Sequence, residues 1–172
     1  MTGQLVLAPD AGRRIDGGGL HAVLKTSMGA GAFTATFEVL VPPGYDVGAH
    51  LHTHGQEIFY VLEGELDVLA FEPVDRAPAD WHDWRAPDGS TYLRGGPGAL
   101  LWVPENTPHA FANRTDAPVR MFFQSSAPGG HDNYFDELAE LLRRDGPPDP
   151  DVVADLRRRY DIDQITALHD GR

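Results

Sequence analysis

The chain has 172 residues, of which 41% are hydrophobic, with no cysteine and a formal net charge of −12. That length suits a single domain over residues 1–172 with a substantial buried core. The absence of cysteine excludes disulfides, thiolate metal sites and a cysteine nucleophile. The excess of 26 acidic over 14 basic residues argues against nucleic acid or an anionic membrane surface as a partner.

The first part of the chain predicts a polar lead-in followed by β structure. Residues 1–19 are polar and rich in glycine, and apart from an edge strand that the apolar run 5–8 could form, we expect them to be flexible. Over residues 20–71, short runs of β-branched and aromatic residues alternate with Gly and Pro turns, which favours a sandwich or barrel over alternating strands and helices. Residues 58–62 are apolar on both faces, as expected of a strand that is covered on both sides.

A long connection over residues 72–97 carries four prolines and the sequence Trp81-His82-Asp83-Trp84. Loops longer than about 12 to 15 residues often act as lids or binding loops. Two interpretations stay open. The tryptophans pin the loop onto the outside of the barrel or onto a dimer partner, or the loop is a lid over a substrate.

Residues 98–126 return to strand patterning, and the period becomes helical from Asp132 onward. Apolar residues recur at helical spacing up to Leu142, and a second short helix is expected around Leu156. The sequence therefore predicts an all-β jelly-roll barrel over about 20–126, with a C-terminal helical extension over about 131–160. No apolar stretch approaches the roughly 20 residues that cross a bilayer, so we expect a cytoplasmic protein without a membrane partner.

Three of the eight histidines lie within five residues. On a strand, side chains two apart point to the same face, so His50 and His52 can approach one ion together. The polar tetrad 53–56 can turn the chain back, which places Glu57 at the start of the next strand. A fourth ligand must come from elsewhere, and the candidate is His109. Three imidazoles and one carboxylate suit one divalent transition metal (Fe, Mn, Ni, Co or Zn) and leave coordination positions open.

The remaining histidines carry weaker signals. His54 lies in the turn between ligand positions, where we expect exposure to solvent. His131 follows Pro128-Gly129-Gly130, where the chain leaves the barrel, and a surface position is expected for it as well. No pattern assigns a role to His21, His82 or His169.

These residues resemble the cupin family. Residues 44–64 match the first cupin motif, G-x5-H-x-H-x4-E-x6-G, at every fixed position. Residues 98–113 match the second motif, G-x5-P-x-G-x2-H-x3-N, except that Asn106 stands where the motif has glycine. Asparagine tolerates the left-handed conformation better than most residues. The resemblance implies a jelly roll of two antiparallel sheets with a metal in its mouth, held by His50, His52, Glu57 and His109.

Within the family, the chain is most similar to the quercetinase-like single-domain proteins. That resemblance implies a metal-dependent dioxygenase that uses dioxygen on an aromatic or enediol-type small molecule, with Glu57 as the catalytic base. Two alternatives stay open: a metal-dependent cyclase or isomerase of polyketide-like molecules, and a non-enzymatic small-molecule binder. We also expect a homodimer. Strand parity suggests a substrate pocket walled by Phe59, Val61 and Phe111, and Phe37 and Phe122 are further candidates. The alternative for each of these residues is plain barrel core.

Overall fold

The computed structural model describes residues 6–9, 11–17, 20–127, 130–142 and 149–170. Neither helix in these ranges is long and apolar enough to cross a membrane. The helices are α1 (His131–Leu142) and α2 (Pro150–Arg159), and short 3-10 helices span Met28–Ala30 and Trp81–Asp83. The strands are β1 (Arg13–Gly17), β2 (Leu20–Thr26), β3 (Ala35–Val41), β4 (Tyr45–Asp46), β5 (His50–Leu51), β6 (Glu57–Glu63), β7 (Leu66–Ala70), β8 (Leu93–Gly95), β9 (Leu100–Val103), β10 (His109–Ala112), β11 (Val119–Ser125), β12 (Asp163–Gln164) and β13 (His169–Asp170).

Within the described ranges, the strands pair into two antiparallel sheets. The first sheet has six strands in the order β1-β2-β3-β11-β6-β9. The second has the order β12-β5-β10-β4-β13, with β7 pairing to β10 and to β8. The predicted all-β jelly roll with two antiparallel sheets and a short helical extension is confirmed.

The structure corrects the expectation for both ends of the chain. The lead-in is not wholly flexible, because Arg13–Gly17 forms β1 and pairs with β2 along its whole length. After α2 the chain returns to the second sheet, where Asp163 pairs with Leu51 and His169 pairs with Asp46. The helical extension is therefore tied down beside the strand that carries His50.

Aromatic side chains fill the space between the sheets. Strands β3 and β11 bury every second residue, as expected of strands with one face on the core. Phe123 stacks on Phe37 at 5.4 Å and on Phe59 at 4.8 Å between ring centroids. Phe135 of α1 meets Phe37 edge-on at 5.3 Å, which places α1 at the end of the aromatic core.

The connection after β7 covers the outer face of the second sheet. Trp81 and Trp84, each 1% exposed, pack with Leu69, Ala110 and Ala112 in a separate hydrophobic cluster. Neighbouring residues on the same strands face the main core instead. The tryptophans thus fix the loop to the outside of the sheet, as the first of the two interpretations predicts. The homodimer stays a prediction, and buried tryptophans offer no surface for it.

Candidate metal centre

Four side chains from both sheets meet at one end of the jelly roll. His50 of β5 and His109 of β10 are directly paired residues of the second sheet. Glu57 opens β6 in the first sheet, and His52 follows immediately after β5. One potential ligand atom from each of these four residues lies within 4.8 Å of all the others. The arrangement expected from the sequence is therefore present as a cluster that bridges the two sheets.

Burial makes this cluster costly unless an ion joins its members. Glu57 is 2% exposed and His109 is fully buried. His52 Nε2 and Glu57 Oε1 lie 3.4 Å apart, and neither atom has a hydrogen-bond partner among the described residues. Buried polar atoms without partners are rare in folded proteins and cost about 1–3 kcal/mol each. The two atoms fit a bound metal.

The backbone fixes the tautomer of each histidine in the cluster. In each of the three rings, Nδ1 contacts a carbonyl oxygen, which can only accept a hydrogen bond. The proton therefore resides on Nδ1, and the Nε2 lone pair is free to ligate. The Nδ1–O distances are 2.9 Å from His50 to Gly48, 2.8 Å from His52 to Asp161, and 3.0 Å from His109 to Thr107.

The tautomer of His109 determines how its contact with Glu57 is interpreted. His109 Nε2 lies 3.0 Å from Glu57 Oε2. With the proton on Nδ1, both atoms are lone-pair acceptors, and two acceptors at this distance repel each other unless a cation lies between them. A proton or a metal ion satisfies that need, so the donor set fits one divalent metal.

The electrostatics favour the protonation states that ligate metals. Burial holds the pKa of His50 well below its ordinary value, and the neighbouring rings of His109 and His52 add to the effect. Burial alone would raise the pKa of Glu57. Its charge interactions with His52 and His131, and its contact with His109, outweigh burial and hold that pKa well below its usual range. A neutral imidazole and an ionised carboxylate are the ligating forms.

Two residues in the left-handed conformation shape the loop around the cluster. Asn106 has a φ of 59° and its backbone N–H donates to the carbonyl of His52 at 2.7 Å. The motif's glycine position is therefore left-handed here, as expected. Asp161 has a φ of 57°, and its carboxylate accepts from Thr53 Oγ1 at 2.5 Å and from the backbone N–H of His54 at 2.7 Å. The segment after α2 thus holds the ligand loop in place.

The structure corrects the expectation for His131. It is 6% exposed rather than on the surface, and its Nε2 lies 3.3 Å from Glu57 Oε1. Burial lowers the pKa of His131 to about 4. Ser125, at the end of β11, pairs directly with Glu57, so the chain starts α1 beside the cluster, and this placement depends on strand register that the sequence pattern does not give. His54, by contrast, has a side chain that is 72% exposed, as expected.

A cavity with a volume of about 60 Å³ adjoins the cluster. Glu57 and His50 border it, and two of the expected wall residues, Phe59 and Phe111, line it. The helical extension supplies further walls. The extension's lining residues are His131, Tyr134, Phe135, Arg157, Ile162, Gln164 and Leu168.

Three other expected wall residues lie elsewhere. Phe37 and Val61 are buried in the main core and do not border this cavity. Phe122 pairs with Tyr60 on the opposite, partly exposed face of its strand, so its assignment to the pocket is wrong. The neighbouring Phe123 lines the cavity in its place. The correction is a one-residue shift in strand parity.

Solved structures share this fold. Ectoine synthase from P. lautus is 16% identical, with 78% of this chain and 86% of that chain covered and a TM-score of 0.55. The polyketide cyclase RemF from Streptomyces resistomycificus is 18% identical, with 71% and 78% covered and a TM-score of 0.52. At such identities the likeness concerns the fold alone.

The sequence itself also has relatives. An uncharacterized protein of Methanocaldococcus jannaschii, MJ1618, is 25% identical over 122 residues, which cover 69% of this chain and 80% of that protein. The family model described as Cupin matches residues 24–144. That match covers more than half of the chain and includes all four residues of the metal cluster. The chain belongs to the cupin family.

Proposed function

We propose that this cupin holds one divalent transition metal and is a quercetinase-like dioxygenase of an aromatic or enediol-type small molecule. The observation that carries the proposal is the tautomer of the three ligand histidines. Their Nδ1 atoms are bonded to carbonyl oxygens, so their Nε2 lone pairs face the ionised carboxylate of Glu57 with no hydrogen-bond donor among these four residues between them. The expected ligands are His50, His52, Glu57 and His109. This donor set accepts Fe, Mn, Ni, Co or Zn and leaves open positions.

When bound, the metal supplies a Lewis acid and open positions for the oxygen atoms of substrate and dioxygen. The chain itself supplies the base. Glu57 borders the cavity, and its Oε1 is the carboxylate oxygen without a hydrogen-bond partner. That oxygen is placed to accept the proton of an enol or phenol, which makes the substrate a better electron donor.

The cavity walls favour an apolar, flat substrate. Phe59, Phe111 and Phe123 line it, so they exclude water and offer faces on which an aromatic ring can pack. The volume of about 60 Å³ is far below the roughly 300–1,000 Å³ of pockets for drug-sized ligands. A substrate with fused rings therefore enters only if the wall residues of the helical extension move outward, as lid residues do in other enzymes.

We expect the metal-loaded protein to consume dioxygen in the presence of a flavonol, a catechol or a small enolisable diketone. Oxygen uptake would be followed with an electrode after separate loading with Fe, Mn, Ni and Co. Glu57→Gln keeps the size of the side chain but removes both the base and a proposed metal ligand, so uptake per bound metal, measured with the metal content of each protein, should fall about 100-fold or more. The absence of uptake across the whole panel with every metal would contradict the dioxygenase proposal.

The same residues support a second chemistry, because a base beside a Lewis acid needs no oxidant. Cyclisation or isomerisation of a polyketide-like molecule would use Glu57 for proton transfer and leave dioxygen unused. Turnover of such a molecule under strict anaerobiosis would favour this alternative. A protein that binds metal and ligand but turns over neither class would be a non-enzymatic binder.

We expect metal affinity to fall in acid. Protons and metal compete for the same imidazole nitrogens, so affinity decreases by about tenfold per pH unit for each proton that the metal must displace. Because the pKa of His50 is lowered, its ring stays neutral below the usual range, and its contribution to the loss begins only as the pH approaches that lowered pKa. A chelator competition titration with Co²⁺ between pH 8 and pH 5, with circular dichroism to check folding, measures the trend. Affinity that stays constant or rises in acid would contradict histidine ligation.

A further inference from the structure

His131 enters the metal cluster from outside the two sheets. It is the first residue of α1, and its ring meets that of His52 edge-on, with centroids 5.1 Å apart. Its Nε2 lies 3.3 Å from Glu57 Oε1, the carboxylate oxygen that lacks a hydrogen-bond partner among the described residues. It does not belong to the set of four ligand atoms within 4.8 Å of one another.

Ser125 decides which nitrogen of His131 carries the proton. Its hydroxyl is completely buried and accepts a hydrogen bond from the backbone N–H of Ala127 at 3.2 Å. The same oxygen lies 2.7 Å from His131 Nδ1. Among the hydrogen bonds of the described residues, Nδ1 is the one acceptor to which this hydroxyl can donate. The Ser125 O–H therefore donates to Nδ1, and the imidazole proton resides on Nε2.

His131 is thus in the opposite tautomer from the three ligand histidines of the cluster. Each of those donates from Nδ1 to a carbonyl and presents the lone pair of Nε2 to the cluster. His131 presents an N–H at the same place. From this contrast we infer that His131 is a positioning residue. Its Nε2–H lies 3.3 Å from Glu57 Oε1 without hydrogen-bond alignment in this structure, and it donates to that oxygen and orients the carboxylate when the metal is bound.

The hydrogen bond from His131 would give the two carboxylate oxygens of Glu57 different roles. Oε2 faces His109 Nε2 at 3.0 Å, whereas Oε1 lies between His52 Nε2 at 3.4 Å and His131 Nε2 at 3.3 Å. A hydrogen bond from His131 occupies one lone pair of Oε1 and leaves the other lone pair for the metal or for a substrate proton. Orienting partners of this kind change metal affinity by roughly 10- to 100-fold when they are removed. The inference rests on the proposed metal site.

The test is Co²⁺ binding to the full chain, followed through the visible absorption of the ion and by chelator competition. His131→Leu removes the donor at similar volume, and we expect its Co²⁺ affinity to fall about 10- to 100-fold with altered absorption bands. In His131→Gln the amide N–H can reach the position of Nε2, so affinity should return to within about threefold of the wild type. His54→Leu is the matched control, because His54 is exposed, and it should bind Co²⁺ as the wild type does.

Ser125→Ala provides a second, nearly isosteric variant if His131→Leu does not fold. Without the serine donor the proton of His131 is free to move to Nδ1, so the Co²⁺ spectrum should change in the same direction. Wild-type spectra and affinity in both His131→Leu and Ser125→Ala would overturn the inference while the metal site stands. Equal losses in His131→Leu and His131→Gln would also overturn it, because packing and not donation would then matter. Wild-type protein that binds no Co²⁺ would overturn the proposed function itself.

Discussion

Replacing His109 with alanine is expected to abolish tight metal binding while both sheets stay folded. The side chain is fully buried and its Nε2 lies 3.0 Å from Glu57 Oε2. Its removal takes away one of four proposed ligands, so affinity should fall by more than the roughly 100-fold upper range seen when only an orienting partner is lost. The barrel should survive, because its stability comes mainly from apolar packing between the sheets, and the core ring nearest to His109, that of Phe59, lies 6.3 Å away between centroids.

The experiment compares metal content with stability. Elemental analysis of purified His109→Ala should show less than about a tenth of the wild-type metal, given the loss in affinity. The free energies of unfolding of the metal-free wild type and of metal-free His109→Ala, measured by thermal unfolding, should differ by less than about 2 kcal/mol, within the usual range of single substitutions. His54→Ala removes an exposed histidine and should retain its metal. Full metal content in His109→Ala would mean that the fourth ligand is another residue.

The ligand cluster could be predicted from the sequence because its geometry is largely local. His50 and His52 share a strand face, and Glu57 follows after one turn, so their approach depends on a few neighbouring residues. His109 required the second motif, and Asn106 within that motif takes the left-handed conformation that the motif requires of its glycine. The spacing of the residues in both motifs follows directly from the geometry of the strands and turns that carry them.

The outer parts of the centre could not be predicted in this way. His131 and Asp161 lie on the helical extension and on the segment that follows it, far along the chain from the residues they contact. Their positions depend on how α1 and α2 pack on the sheets. No periodicity in the sequence encodes that packing, since an amphipathic helix specifies which face is buried but not which partner it meets.

One error was avoidable from the sequence. Along β11 the polar residues Arg120 and Gln124 occupy alternate positions, and Phe122 has the same parity. Strand alternation therefore places Phe123 on the inner face, where the structure has it. The two adjacent phenylalanines are both plausible wall residues, but the alternation of polar residues along the strand is enough to choose between them.

Replacing Trp81 with alanine is expected to cause a large loss of stability, with little effect on the metal centre. The side chain is 1% exposed, packs against Leu69 and Ala110, and donates from its indole N–H to Asp46 Oδ1 at 2.9 Å. Truncation of a buried tryptophan to alanine costs about 3–5 kcal/mol. The melting temperature should fall by roughly 6–20 °C for a chain of this size.

The metal centre should hardly change, because the loop that carries Trp81 covers the outer face of the second sheet and does not border the cavity. Co²⁺ affinity of the folded variant should stay within about threefold of the wild type, less than the loss expected of an orienting partner. Trp102 is the matched control: it is 55% exposed on β9, and Trp102→Ala should cost less than about 1 kcal/mol. Loss of metal in Trp81→Ala without loss of stability would mean that the loop serves the site and not the fold. The opposite responses of Trp81→Ala and His109→Ala would then separate what holds this protein together from what lets it bind a metal.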